Sequence, residues 1–468
     1  MKRFTLSALL ALAASLLSSI AQAHAEQYLV VAAGKDFPES RVQAVQQAGG
    51  QIVKVFPQIG LAVATSADPG FPAKAASIAG VTSIVPDPIT YPEADTQSMP
   101  VETASGSGNP VPKGADLTGL QWGLQAIQAP AAWALGATGK GVRVAVVDTG
   151  IMTTHPDLAP NLNLELSTSV VPGETVEFIP GGPGGDFSHA THVSGIIAAA
   201  DNGFGTTGVA PDAELVAIKV GSELTNSSRV SWMVEGILYA AQMHADIANL
   251  SFASYWLKND PPSGTTIDVA LSVAIRAVAF AEQQGTLLVA GAGNGGRDWD
   301  GAGKYVFFPR DLPGVAGVAA TAPMDCWALD PTVDLDWPAP YTDYGQRVID
   351  LAAPGGNLDL ALPGQLVTLG GITQPAFVFN MVISTSTNFG PAGVFEKKGI
   401  WNFASGTSLA APHVSGVAAL AIQAHGGSLT PAQVRAILKQ SADDLGKSGN
   451  DDYYGAGRVN ALRAVQQR

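Results

Sequence analysis

Short apolar runs alternate with helical patterns over most of the chain beyond residue 117. The runs are almost continuous in apolar residues, which is typical of parallel strands buried on both faces. They cover residues 142–147, 215–220, 247–251, 287–291 and 315–320. Helical patterns lie at residues 190–200, 229–244, 267–283 and 409–424. This alternation predicts a three-layer α/β fold with a doubly wound, mostly parallel sheet.

A smaller pattern of strands and helices precedes it. Strands are predicted at residues 27–34, 51–55, 60–65 and 81–86, and helices at 40–48 and 72–78. This order is typical of a small ferredoxin-like α+β domain, which we place at residues 24–92. Residues 93–117 are rich in Thr, Ser, Gly and Pro, which predicts an exposed linker that proteases cut readily. The larger domain is then residues 118–468.

The N-terminus has the pattern of a secretory signal peptide over residues 1–23. A positive start, Met1-Lys2-Arg3, is followed by an apolar run at 6–20 and by the small-residue site Ala21-Gln22-Ala23. The run is short for a bilayer span and no later stretch is long and apolar enough for one. We therefore expect a secreted protein, extracellular or periplasmic, with no membrane association in its mature form.

Composition narrows the classes of protein further. The only cysteine is Cys326, so no internal disulfide forms despite the expected export. Lys and Arg number 25 against 39 Asp and Glu, for a formal net charge of −14. Because no basic stripe interleaves with aromatic residues, we expect no nucleic-acid partner.

Candidate chemistry lies in three blocks, in the order Asp, His, Ser. Asp148 follows a predicted strand, at the sheet edge where α/β folds place their sites. His189 lies just before a predicted helix and His192 lies in its first turn. Ser408 opens another predicted helix, whose start Pro412 marks. A serine hydroxyl becomes nucleophilic when a neutral imidazole takes its proton and a carboxylate orients that imidazole. We favour His189 as the base, with His192 pointing into the packing.

Other chemistries fit the residues less well. Asp-Thr-Gly at Asp148 is also the motif of aspartic proteases, which need a second such carboxylate that this chain lacks. The His189 and His192 pair has no nearby Cys or acidic residue to complete a metal site. The segment around Ser408 does not match the Gly-x-Ser-x-Gly motif of α/β-hydrolases, because Ala410 stands in place of its last glycine. An aspartic protease or a metalloenzyme remains an alternative, which inhibitors would distinguish from the serine mechanism.

With these blocks, the chain resembles the subtilisin-like serine proteases, the subtilases of peptidase family S8. The resemblance runs from Gln121-Trp122-Gly123 to the segment 454–460, although Ala190 replaces a usual glycine. It implies a secreted serine endopeptidase that hydrolyses protein or peptide substrates through an acyl-enzyme intermediate. The alternative is a catalytically inactive subtilase-like binding or assembly protein, which we would expect to have a damaged triad.

The resemblance also implies roles for residues outside the triad. Asn294 would donate its side-chain amide to the oxyanion, together with the Ser408 N–H. The walls of the substrate cleft would be formed by Ser251, Phe252, Ala253, Gly291, Ala292 and Gly293. Asp157 and Asn202 would bind a structural Ca²⁺, although Thr118 stands where the family supplies a further glutamine ligand.

Two more expectations concern segments. The small domain resembles the family's inhibitor I9-like propeptide, which implies a zymogen that the enzyme itself cuts and that its own propeptide inhibits. Residues 362–401 form a longer connection before the nucleophile than the family usually has, and its role is left open.

Overall fold

The computed structural model describes residues 25–91, 97–100, 114–183, 187–258, 263–389 and 395–467. The predicted signal peptide and most of the predicted linker lie outside these residues. The chain divides into two compact units, Met1–Pro88 with Lys258–Ala277 and Ile89–Leu257 with Val278–Arg468. In the described part of the chain, no helix combines the length and apolar character needed to cross a membrane.

The first unit contains a four-stranded antiparallel sheet in the order β2-β3-β1-β4. Its strands are β1 (Glu26–Ala32), β2 (Gln51–Phe56), β3 (Leu61–Ser66) and β4 (Val81–Pro86). Two helices, α1 (Glu39–Gln47) and α2 (Phe71–Ala76), bury Val45, Phe71 and Ala75 in the core that they share with the sheet. Each of these elements lies within two residues of its predicted position.

The second unit is built on an eight-stranded sheet in the order β17-β16-β14-β12-β7-β9-β8, in which β18 also pairs with β16. The pairs are parallel except for β16 with β17. The strands are β7 (Arg143–Asp148), β8 (Thr168–Ser169), β9 (Glu214–Lys219), β12 (Ile247–Leu250), β14 (Leu287–Gly291), β16 (Val315–Ala322), β17 (Trp337–Pro338) and β18 (Leu351–Pro354). Their burial on both faces explains why they read as continuous apolar runs.

Helices of more than one turn separate and follow these strands. They are α3 (Trp122–Ala126), α4 (Ala129–Ala134), α5 (His189–Ala198), α6 (Val230–Gln242), α7 (Ser263–Gln284), α8 (Thr407–Ala424), α9 (Pro431–Ser441) and α10 (Ala461–Gln466). The predicted α/β fold with a small α+β domain before it is confirmed. One local expectation is wrong: α8 begins at Thr407, so Pro412 lies in its second turn rather than marking its start.

Shorter strands form small sheets around the central one. They are β5 (Ile89–Thr90), β6 (Gln97–Pro100), β10 (Gly221–Ser222), β11 (Ser227–Arg229), β13 (Ser254–Leu257), β15 (Tyr305–Phe308), β19 (Leu366–Leu369), β20 (Ile372–Pro375), β21 (Val382–Phe389) and β22 (Phe395–Ser405). The long connection at 362–401 is therefore largely β structure: β19 pairs with β20, and β21 pairs with β22. β22 also pairs with β6 and leads directly into α8.

Candidate active site

Asp148 and His189 meet at the carboxyl end of the central sheet. Asp148 ends β7 and is buried, and His189 is the first residue of α5. The Nδ1 atom of His189 lies 2.9 Å from each carboxylate oxygen of Asp148. This contact directs Nδ1 toward the carboxylate and leaves Nε2 as the opposite end of the ring. Burial opposes the charge on His189, but the attraction of Asp148 outweighs it, so the pKa of His189 is raised.

His192 lies in a different environment, three residues along the same helix. Its side chain is fully buried, and Nε2 lies 3.1 Å from the carbonyl oxygen of Asn402. Burial lowers the pKa of His192 to about 3, so the ring is neutral over the physiological range. The geometry therefore gives the two histidines separate surroundings, one against a carboxylate and one in the core.

A buried charged cluster supports the loop that follows Asp148. The Gly150 N–H donates to Glu223 Oε1 at 2.5 Å, and Glu223 pairs with the Lys219 ammonium. Lys219 is fully buried at the end of β9, next to Asp148 in the sheet register, and also pairs with Glu174 at 2.8 Å. Burial raises the pKa of Glu223, although Lys219 opposes that shift. The cluster fixes the main chain just beyond Asp148.

Ser408 is the second residue of α8, and its side chain is almost completely buried. Its Oγ has no hydrogen-bond partner among the described residues, so the hydroxyl is not committed to another protein group. Its carbonyl oxygen would normally accept from the N–H of residue 412, which is proline and has none. Ser251 supplies the missing donor, with its Oγ 2.9 Å from the Ser408 oxygen.

This substitute donor belongs to a longer polar chain inside the core. Asn249 Nδ2 donates to Ser251 Oγ at 2.7 Å, and Ser415 Oγ donates to Asn249 Oδ1 at 2.9 Å. Ser415 lies in α8 and Asn249 in β12, so the chain links the helix that carries Ser408 to the central sheet. All of these side chains are buried, which makes each bond costly to lose.

Asn294 is held against the start of α8. Its Oδ1 accepts from the Thr407 N–H at 2.8 Å and from Thr407 Oγ1 at 2.9 Å. The same hydroxyl oxygen accepts from the Gly293 N–H at 3.0 Å. These bonds turn the carbonyl end of the Asn294 amide toward Thr407, which leaves Nδ2 at the other end. The Asn294 side chain, which carries the Nδ2 donor, is thereby held by Thr407, the residue before Ser408.

The loop that carries Asn294 is anchored from behind. The buried Asp343 carboxylate accepts from the Gly295 N–H at 3.1 Å, from the Arg297 N–H at 2.9 Å and from the Trp299 indole at 2.7 Å. Arg310, also buried, donates to the carbonyl oxygen of Ala292 at 2.6 Å. These contacts hold the loop on both sides of Asn294.

The predicted cleft-wall residues have unequal surroundings. Phe252 and Ala253 are half-buried, whereas Ser251 is buried and bonded to Ser408. Ala292 is fully buried, with its methyl in a small apolar cluster, so its side chain does not line an open surface. A Cβ on Gly291 would lie 2.8 Å from the Thr407 carbonyl oxygen. Glycine at 291 thus allows β14 to approach the start of α8.

Gly293, the last of the predicted wall residues, is needed for its backbone. It has a φ of +111°, and a Cβ there would lie 2.5 Å from an Asp343 oxygen. A side chain at 293 would therefore be strained and would also disturb the anchor of the Asn294 loop.

A short piece of the chain itself lies along one edge of this unit. Ile89 and Thr90 form β5, which pairs antiparallel with Arg229 and Ser228 of β11. The next carbonyl oxygen, that of Tyr91, accepts from Ser254 Oγ at 3.2 Å. Two residues separate Ser254 from Ser251, whose Oγ lies 2.9 Å from the Ser408 carbonyl oxygen.

The predicted calcium ligands are together, but their contacts do not fit a calcium site. Asp157 Oδ2 accepts from the Trp401 indole at 2.8 Å and from the Thr206 N–H at 3.0 Å. Asn202 turns its Nδ2 toward Asp157 Oδ1 at 3.3 Å. Calcium needs six to eight oxygen ligands, whereas N–H donors face this carboxylate. In the described part of the chain, no group of three His, Cys, Asp or Glu could hold a metal ion.

Several contacts lay beyond the reach of the sequence pattern. Thr407, which fixes Asn294, stands inside the Gly-Thr-Ser block and could have been suspected there. Four other residues bond to partners that lie 44 to 244 residues away, and nothing in the neighbouring sequence marks them: Ser254, Glu223, Asp343 and Trp401.

Comparison with known proteins identifies this architecture. The model of the Subtilase family matches residues 139–457, about two thirds of the chain. The chain belongs to the subtilase family of serine endopeptidases. This subtilase is 33% identical over 347 residues to subtilisin amylosacchariticus from Bacillus subtilis subsp. amylosacchariticus, covering 74% of the chain and 71% of that protein.

Two further proteins are similar to this subtilase. M-protease from Shouchella clausii is 35% identical, again over 347 residues that cover 74% of the chain and 70% of that protein. The solved structure of the epidermin leader peptide processing serine protease from Staphylococcus aureus matches with a TM-score of 0.72 at 19% identity. That match covers 95% of the chain and 98% of the structure, and it supports the fold alone.

Proposed function

We propose that this subtilase is a secreted serine endopeptidase that uses Asp148, His189 and Ser408 as a triad. The observation that carries the proposal is the pair of 2.9 Å contacts between His189 Nδ1 and Asp148, at the same sheet edge as α8. Because Asp148 takes Nδ1, the Nε2 atom of a neutral His189 is the acceptor for the Ser408 proton.

The reaction then proceeds in two balanced halves. Ser408 Oγ bonds to the peptide carbonyl carbon, its proton moves to His189 Nε2, and the carbonyl electron pair moves onto oxygen. Asn294 Nδ2 and the Ser408 N–H stabilise this oxyanion. The C–N bond breaks as His189 returns the proton to the leaving amine, and an acyl-enzyme ester remains. In the second half, water attacks the acyl carbon while His189 accepts its proton. The ester bond then breaks as His189 gives the proton to Ser408 Oγ, which releases the acid and restores Ser408.

Substitution and labelling test the triad. We expect Ser408→Ala and His189→Ala to abolish cleavage of casein, and a fluorophosphonate to label the parent chain but not Ser408→Ala. His244→Ala is the matched control, because His244 is an exposed histidine of the same unit. Full activity or labelling in Ser408→Ala would disprove the assignment, whereas sensitivity to a chelator or a statine-type inhibitor would favour the alternative chemistries.

We propose further that the chain is a zymogen and that β5 lies in the substrate cleft. Support comes from the pairing of Ile89 and Thr90 with β11 and from the Ser254 bond to Tyr91, which lead toward Ser408. Downstream, Gln97 of β6 pairs with Ser405 of β22, three residues before Ser408. The bond that is cut would lie between Tyr91 and Gln97. Phe252, Ala253 and the Gly291–Gly293 strand end would border the same cleft.

The N-terminal sequence of the mature protein tests this proposal. We expect a new N-terminus between residues 92 and 97 after expression of the parent chain, and an uncut chain in Ser408→Ala. A terminus beyond residue 114 would contradict the placement. Loss of residues 1–23 from the otherwise uncut Ser408→Ala chain, found by the same N-terminal sequencing, would support export; retention of these residues would count against it.

A further inference from the structure

The Asp157 carboxylate is the centre of an unusual contact between a loop and β22. The side chain is fully buried, so its charge needs close partners. Oδ2 accepts two N–H groups, from the Trp401 indole at 2.8 Å and from the Thr206 main chain at 3.0 Å. A carboxylate oxygen offers about two lone-pair positions, so both positions of Oδ2 are taken.

The second oxygen also faces a donor. Asn202 Nδ2 lies 3.3 Å from Oδ1, and the Asn202 Oδ1 is turned away, accepting from the Phe204 N–H at 3.3 Å. This second bond fixes which end of the Asn202 amide faces Asp157. A cation would need oxygen lone pairs in these positions, and it meets hydrogen atoms instead.

Space at the carboxylate is occupied as well. A Cβ built on Gly205 would lie 2.2 Å from Asp157 Oδ2 and 2.6 Å from the Trp401 ring. Gly205 has a φ of +67°, which suits glycine, and the absence of a side chain there lets the indole reach the carboxylate. The six-membered ring of Trp401 thus covers the loop from outside.

Trp401 is the middle one of three consecutive residues of β22, residues 400–402, that make hydrogen bonds to neighbouring elements. His155 Nε2 lies 2.9 Å from the Ile400 carbonyl oxygen, and His192 Nε2 lies 3.1 Å from that of Asn402. Three successive residues of β22 therefore bond to the loop that contains His155 and Asp157 and to α5, the helix of His189. The strand continues for three more residues before α8 begins.

We propose that Trp401 replaces a metal ion at Asp157: its indole N–H saturates the carboxylate and ties the loop to β22, so this loop is held without calcium. A bond from a neutral N–H to a buried carboxylate is among the stronger hydrogen bonds, and it is made by a residue of the long 362–401 connection. The connection thereby has a structural role next to the site.

Thermal unfolding of the full chain tests the proposal. The Ser408→Ala background removes the proposed nucleophile and so limits self-digestion. We expect the change in its melting temperature between EDTA and added Ca²⁺ to be the same, within about 1 °C, with and without Asp157→Asn, since no ion binding at Asp157 shifts the equilibrium. Trp401→Phe, which keeps a ring but loses the N–H, should lower the melting temperature by roughly 2–4 °C. Trp337→Phe, at a tryptophan that is 48% exposed, is the matched control and should change little.

Two results would overturn the proposal. One is a rise in melting temperature on adding Ca²⁺ that Asp157→Asn abolishes, because the ion would then be bound at Asp157. The other is a Trp401→Phe protein as stable as Trp337→Phe. A calcium response that Asp157→Asn retains comes from another site and supports the assignment. Should Trp401→Phe fail to fold, calorimetric titration of the unsubstituted chain and of Asp157→Asn with Ca²⁺ decides the question: equal heats support it, and heat lost in Asp157→Asn refutes it.

Discussion

The contact between Ser251 and the Ser408 carbonyl yields a quantitative prediction. Pro412 leaves that carbonyl without its helical donor, and Ser251 Oγ fills the position at 2.9 Å. Ser251→Ala removes the donor and also leaves Asn249 Nδ2 without its 2.7 Å acceptor. A buried polar group left unpaired costs about 1–3 kcal/mol. For a unit of this size we expect a melting temperature lower by roughly 1–4 °C.

The proline provides a second substitution that isolates the carbonyl. Pro412→Ala restores an N–H four residues after Ser408, so the helix itself can bond to the carbonyl oxygen. Ser251→Ala should therefore cost less in the Pro412→Ala background than in the parent. The rescue will be partial, because Asn249 stays without its partner. We expect a coupling of about 1 kcal/mol or more between the two positions.

The assay is thermal unfolding of four proteins in a Ser408→Ala background, which retains the carbonyl while removing the proposed nucleophile. Casein cleavage by the matching active chains gives a second readout, since a displaced Ser408 should lower kcat. Equal losses from Ser251→Ala in both backgrounds would refute the idea that Ser251 compensates for Pro412.

Three further predictions concern the same unit. Asn294→Ala should lower kcat by about 10²–10³-fold with little change in KM, because its amide acts on the oxyanion; steady-state kinetics on a peptide substrate will check this. Activity should fall as the pH drops through the His189 pKa, and because that pKa is raised, the midpoint should lie above about 6.5; a flat kcat/KM profile down to about pH 4 would contradict it. The pKa of His192 is about 3 in the folded chain, against about 6.5 for an unperturbed histidine. Between these values the unfolded chain therefore binds a proton at this residue and the folded chain does not. On acidification from about pH 6.5, His192 should therefore contribute a loss of stability of about 1.4 kcal/mol per pH unit, and His192→Asn should reduce the slope by that amount in melting curves taken at several pH values.

Sequence patterns predicted the central fold because strands that are buried on both faces consist of continuous apolar runs. β7, β9, β12, β14 and β16 each lie within two residues of an apolar run. The helices α5 and α6 follow the same rule, whereas α7 begins four residues before its predicted start. Asp148, His189 and Ser408 can be proposed from the sequence because each stands at the end of such an element. The helix α8 begins two residues before its predicted start, because Pro412 lies in its second turn and not in its first.

The remaining contacts depend on partners that are distant in the chain. Trp401 and Asp157 are 244 residues apart, and a lone tryptophan in a polar segment carries no periodicity. β5 has two residues, too few for an alternating pattern to be visible. Asp157 illustrates the limit of resemblance: its position suggested a calcium ligand, but the surrounding N–H groups, which decide its chemistry, come from elsewhere in the fold.

The pairing of β5 with β11 uses main-chain groups, which every extended peptide possesses. In the proposed zymogen β5 would belong to an inhibitory segment, and a segment bound in this way competes by proximity rather than by its particular side chains. While it stays covalently joined to the enzyme, its effective concentration is in the millimolar range typical of short tethers. Once the tether is cut, the same segment must compete at its concentration in the surrounding solution. Dilution after export would then release inhibition, so the degree of activation would depend on the volume into which the protein is secreted.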